Sequence, residues 1–118
     1  MTILELLKKS RDRISDSTQW VQSSLAEDVW GECVDPQSSE AVRWSAGGAI
    51  LSYLDWDSWE VAEAVELLKS ELPDDSHGKL EFFNDRTSHE NVIDVFDRAI
   101  AVAVESFLIE TNVSRLVH

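Results

Sequence analysis

The 118-residue chain has a single cysteine, Cys33, and only two prolines. A lone cysteine cannot close an internal disulfide, so covalent staples play no part in the fold and a reducing compartment is expected. Basic residues are scarce: ten Lys and Arg stand against 23 Asp and Glu, for a formal charge of −13. A surface that negative repels phosphate, which argues against direct binding of DNA, RNA or anionic lipid. Long apolar runs are missing as well. The longest, Ala99 to Val104, falls far short of the ~20 residues that span a bilayer. The opening ten residues are interrupted by Glu5, Lys8 and Lys9, unlike the unbroken apolar stretch of a secretory signal. A cytoplasmic protein without membrane attachment is therefore expected.

Spacings that carry chemistry are also missing. Gly47-Gly48 lacks the following Lys-Ser/Thr of a phosphate loop, and no serine sits in a Gly-x-Ser-x-Gly elbow. Asp55-x-Asp57 with Glu66 imitates a calcium loop, but Glu60 stands where the turn needs glycine. His77, Asp85 and His89 are the only group that loop folding could gather around a transition metal, and no His-x-x-x-His spacing supports them. No catalytic residue, metal or cofactor is expected.

What is present suffices for one core. Hydrophobic residues make up 43% of a chain of single-domain length. Thr2 with Glu5 forms a capping box, and a first helix is predicted from Ile3 to Arg13. Residues 15–34 read as irregular, with Trp20-Val21-Gln22 strand-like and Trp30-Gly31-Glu32 a turn before a short extended piece. Asp35-Pro36 opens a second helix, predicted from Ser38 to Tyr53. Its Ala46-Gly47-Gly48-Ala49 run implies close approach by a neighbouring helix or a large aromatic ring, with a backbone-lined ligand site as the alternative.

A third helix is predicted from Trp59 to Leu72, with Val61, Ala62, Val65, Leu68 and Leu72 on one side and Glu60, Glu63, Glu66 and Glu71 on the other. Leu80 to Phe83 is a short apolar stretch. Thr87 and Glu90 form a second capping box for a last helix, Ser88 to about Glu110. That helix is apolar round most of its circumference, Phe107 included. It is expected either at the centre of a four-helix domain or against a second copy of the chain in a homodimer.

The acidic excess is concentrated. Between Asp55 and Asp97, thirteen acids are matched only by Lys69, Lys79 and Arg86. Such rows serve as a solvated face that keeps a small protein soluble, or as a face that docks on a basic protein partner. Glu60, Glu63 and Glu66 are the candidate docking residues, together with Trp59, which falls on their side of the helix. Mimicry of nucleic acid, blocking a DNA- or RNA-binding protein, is a special case of this reading. Five tryptophans, Trp20, Trp30, Trp44, Trp56 and Trp59, suit core edges or interface anchors.

Taken together, Trp20-Val21-Gln22, Gly31, Val34-Asp35-Pro36, Ala41-Val42-Arg43-Trp44 and Gly48-Ala49 resemble an uncharacterised family of small bacterial and phage proteins. Asn84-Asp85 and then Val92, Phe96, Arg98, Ala99 and Ile100 continue the likeness, which covers about Trp20 to Ala101. Two positions depart from the family pattern: Ser23, where a glycine usually follows the glutamine, and Ser45, where a cysteine often follows the tryptophan. The resemblance implies a compact, mostly helical domain in a prokaryotic or phage context, and no activity. Asn84-Asp85 reads either as a pair that orders the loop before the last helix or as part of a ligand site.

The expected fold is all-α: a compact single domain of about four main helices, with a short irregular or hairpin-like segment between the first two. Val42, Trp44, Ile50, Val65, Leu68, Phe96 and Ile100 are the expected core. The leading functional expectation is a non-enzymatic interaction or regulatory module. The rival from another class is a small ligand-binding, hydrolase-like enzyme with its site at Trp44, Asn84, Asp85 and His89.

Overall fold

Thr2 starts the fold by accepting the Glu5 amide on its Oγ1 at 3.0 Å, satisfying one of the free N–H groups that open α1 (Ile3–Arg13). The computed structural model describes the backbone of residues 1–117 and the side chains of residues 1–106 and 108. After α1 come α2 (Ala46–Leu51), α3 (Trp59–Ser70), α4 (Leu80–Arg86) and α5 (His89–Val117). β1 (Ala26–Glu27) pairs antiparallel with β2 (Arg43–Trp44), in the register Ala26 to Trp44 and Glu27 to Arg43. The fold is mostly helical but not purely so, with five α-helices among the described residues where about four main ones were expected. No described helix is long and apolar enough to cross a membrane.

The core forms where α1, α3 and α5 pack on one another and α2 meets α1 and α4. Leu6, Leu7, Ile14, Ile50, Leu68 and Phe96 are fully buried there, each contributing roughly 1.5–3 kcal/mol from the apolar surface it removes from water. Of the expected core residues, Trp44, Ile50, Leu68 and Phe96 are buried, while Val42, Val65 and Ile100 are only half-buried.

The segment between α1 and α2 is where the structure departs most from expectation. The helix predicted over Ser38 to Tyr53 is reduced to Ala46–Leu51. Asp35 does cap a turn, accepting the Gln37 amide at 2.8 Å, but the chain then extends. Long-range pairing overrides the local helical pattern: Trp44 bonds beside Ala26 on one side and Trp20 on the other. Its indole N–H donates to the Pro36 carbonyl at 3.0 Å. The Arg13 guanidinium lies 4.7 Å from the Trp44 ring and 4.5 Å from Tyr53, a cation held between two aromatic faces. Asp28 closes the 28–32 turn by accepting the Trp30 and Glu32 amides, each at 2.9 Å.

α3 opens at Ser58, whose Oγ accepts the Val61 amide. It buries Val61, Ala64 and Leu68, so Ala64 takes the inward place expected of Ala62, which is exposed. α4 was hidden in a stretch too short to show helical periodicity, yet it buries Leu80, Phe83 and Asn84 at helical spacing. Ser88 rather than Thr87 caps α5, which begins at His89: Ser88 Oγ accepts the Asn91 amide, and the Thr87 hydroxyl accepts from the Asn91 side chain. α5 is not central. Val92, Val95, Phe96 and Ala99 are buried against α1 and α3, whereas Glu90, Asp94, Asp97 and Arg98 face solvent. Phe107, expected on its apolar face, lies outside the described side chains.

A neighbouring helix accounts for one of the two glycines of α2, Gly47, which faces Glu81 of α4, whereas Gly48 is crowded by the backbone of an extended segment. A Cβ on Gly48 would stand 1.7 Å from the Leu25 carbonyl oxygen, and one on Gly47 would stand 2.6 Å from a Glu81 carboxylate oxygen. Leu25 crosses this close because its carbonyl accepts the Ser45 amide at 3.0 Å. The neighbour is backbone, which cannot swing aside. Gly48→Ala is therefore expected to cost more than about 3 kcal/mol, the upper end for ordinary overpacking, measured as a loss of urea midpoint. Gly47→Ala meets only a side chain and should cost less.

Candidate functional site

Residues 62 apart in sequence meet in one hydrogen-bonded knot, with Asn84 at its centre. Asn84 lies on α4 with no exposed surface. Its Oδ1 accepts the Trp20 indole N–H at 2.7 Å and the Ala46 amide at 3.0 Å. Its Nδ2 donates to the Val21 carbonyl at 3.0 Å and to Asp85 Oδ1 at 3.1 Å. All four bonds an amide side chain can make are filled. Gln22 closes the knot from the other side, donating through Nε2 to the Asn84 and Thr87 carbonyls at 3.1 and 3.0 Å.

Asp85 accepts the Ser23 amide at 2.7 Å. Ser23 has φ +70°, the left-handed region that favours glycine, so the serine carries strain. His89 packs against Trp20, ring centres 5.6 Å apart, and its Nε2 lies 2.6 Å from the Ile14 carbonyl.

A family model for proteins of unknown function, DUF6197, matches residues 1–102. The chain belongs to that family. No curated protein and no solved structure matches it. Among the described side chains, α5 packs on the core as far as Ala103, one residue past the family match, and Leu108 is exposed.

In this DUF6197 domain, Trp44, Asn84 and His89 contact Trp20, while Asp85 bonds Asn84 and the Ser23 amide, and none of the four lines either of the two clefts flanking α4. Asn84-Asp85 lies within α4 rather than in the loop expected before the last helix, and most of its partners come from other parts of the chain. His77, Asp85 and His89 do not gather: among the described residues no group of three or more His, Cys, Asp or Glu could hold a metal.

The other candidates stand on open surface. Trp59, Glu63 and Glu66 are exposed along one side of α3, and Glu60 is half-buried. Trp56, just before the helix, is exposed as well, and Glu66 lies 3.4 Å from Lys69. Beside Trp56 opens a cleft of about 220 Å³, walled by Leu25, Leu51, Val61, Val65 and Leu80. A larger cleft of about 450 Å³ lies between the end of α3, α4 and α5. Neither cleft was readable from the sequence, because each is assembled from elements distant along the chain.

Glu81, on the wall of the smaller cleft, escaped the sequence reading altogether. Burial pushes its carboxyl above the usual glutamate range, against donation from the Ser45 hydroxyl and the Gly47 N–H, and the neighbouring Asp85 charge adds to the rise. Its Oε1 accepts the Gly47 amide at 2.8 Å, so it serves the start of α2 from another helix.

Two outcomes follow. Asn84→Ala strands the Trp20 indole, the Ala46 amide and the Val21 carbonyl. A loss of at least about 3 kcal/mol is expected from urea unfolding, since each stranded buried group costs about 1–3 kcal/mol. Glu81 gives a pH dependence of opposite sign to that of a salt-bridged carboxylate. The folded state holds this proton more tightly than the unfolded chain does, so stability falls as pH rises through the window above the ordinary glutamate value. Glu81→Gln keeps an acceptor for Gly47. It should flatten the fall that sets in above the ordinary glutamate value and leave the protein at least as stable once the wild-type carboxyl is ionised, read from urea midpoints across pH.

Proposed function

We propose that this domain is a non-enzymatic interaction module that docks on a basic protein through the α3 face bearing Trp59, Glu63 and Glu66, with Trp56 and Glu60 at its margin. One observation carries the reading: Trp56 and Trp59 are 68% and 67% exposed, three residues apart, beside solvent-facing carboxylates. A folded chain with room for Trp44 in its interior gains nothing in stability from leaving these two indoles in water, and the same holds for Trp30, which is 85% exposed. Exposed tryptophan is, however, the residue type most enriched among the side chains that dominate binding energy at protein interfaces.

The chemistry of the face selects the partner. An arginine or lysine side chain can lie over an indole and still reach a carboxylate one helical turn away. The net charge of −13 adds long-range attraction, which speeds encounter and weakens with salt. The apolar cleft beside Trp56 offers a seat for a neighbouring apolar side chain of the same partner.

The test is affinity capture from a nuclease-treated bacterial lysate, eluted along a salt gradient, with wild type beside Trp56→Ala/Trp59→Ala and Glu63→Lys/Glu66→Lys. A basic protein retained by wild type, released by modest salt and lost by both variants is the expected result. Retention of the same protein by both variants, with folding intact by thermal unfolding, ends the reading. A captured protein that DNA displaces narrows it to mimicry of nucleic acid.

A further inference from the structure

The larger cleft is separate from the α3 docking face and is lined by different chemistry. In a chain with ten basic side chains against 23 acidic ones, two arginines converge on it: Arg86 from the end of α4 and Arg98 from α5. Arg86 is held in place, its guanidinium carbon 4.3 Å from the centre of the Phe82 ring. The turn that carries it is braced on both sides, because Gln22 donates to the carbonyls of Asn84 and Thr87. The knot that uses up Asn84 and Asp85 thus fixes the wall of the cleft beside it. Arg98 bonds Asp94 on its own helix at 2.9 Å, with half its side chain open to solvent. Such an exposed pair is weak enough to exchange for a better acceptor.

We infer that this cleft binds a small oxyanion, a phosphate monoester or a carboxylate, attached to an apolar or aromatic body. The oxyanion faces Arg86 and Arg98, whose planar forks suit either group. The body lies against Phe82 and the neighbouring Leu72 and Pro73. Glu71 and Asp75 line the wall contributed by the end of α3 and the turn after it. They disfavour a polyanion and accept hydroxyl or amine donors from the far end of the ligand. A volume of about 450 Å³ falls in the ordinary range for a small-molecule site. This inference does not depend on the α3 docking surface, and either stands if the other fails.

The experiment is a titration of the full chain, followed by amide proton–nitrogen NMR at constant ionic strength, with phenyl phosphate, phenylacetate and neutral benzyl alcohol as separate probes. Saturable shifts centred on Arg86, Thr87, Asn91 and Arg98 are expected with one or both anions, and the tighter of the two assigns the oxyanion. Arg86→Gln and Arg98→Gln should each weaken binding at least about tenfold, the usual share of a charge-assisted hydrogen bond. Asp94→Asn releases Arg98 and should tighten binding by up to about fivefold, a gain that misfolding cannot imitate. Shifts that never saturate, that lie elsewhere, that survive both glutamine variants or that benzyl alcohol reproduces equally well overturn the inference.

Discussion

The structure turns on one buried amide. Asn84 has no exposed surface and four hydrogen-bond partners, which belong to the 20–21 segment, the first residue of α2 and its own neighbour on α4. A polar side chain in the interior is tolerable only when every donor and acceptor is matched, and then it specifies one arrangement, because any shift leaves a group unpaired. The segment after α1 forms only a short 3-10 turn and a two-residue strand, so regular local structure does not choose its position. Asn84 and Gln22 choose it, and Trp20 follows into the space beside His89 and Trp44.

A second constraint follows from the first. Once the 20–27 segment is drawn onto α4, the Leu25 backbone passes over α2 at a distance that only glycine at 48 allows. Ser45 supports both elements: its amide donates to Leu25 and its hydroxyl accepts the Gly48 amide. α2 is therefore short and wholly buried, and its two internal glycines are explained by close approach rather than by poor helix formation. The polar residues that look most like chemistry in the sequence are spent on this framework. The framework does not use the tryptophan and carboxylate face of α3 or the arginines of the larger cleft.

Legibility followed the range of the forces involved. α1 and α3 were readable because their signals are local: Thr2 and Ser58 cap, and apolar residues recur at helical spacing. α2 was misread because Val42, Arg43 and Trp44 fit a helical pattern locally, yet Trp44 pairs with Ala26 and Trp20. α4 was missed because seven residues give two turns and no clear period. The buried role of Asn84 left no local trace, nor did the raised carboxyl of Glu81, whose cause is burial under α2.

By itself the sequence determined a mostly helical, strongly acidic domain with one core, with carboxylates in rows and none of the spacings of known catalytic or metal loops. These properties depend on composition and on neighbours within a turn or two of helix. Only the tertiary structure decided which polar residues are consumed and which remain available. Asn84, Asp85 and His89 are engaged because distant backbone reaches them, whereas Trp56, Trp59, Arg86 and Arg98 stay open to solvent or to a cleft. The physical reason is that a hydrogen bond's partner and a side chain's burial are set by whatever folds against it, and for Asn84, Asp85 and His89 most of those partners lie more than sixty residues away.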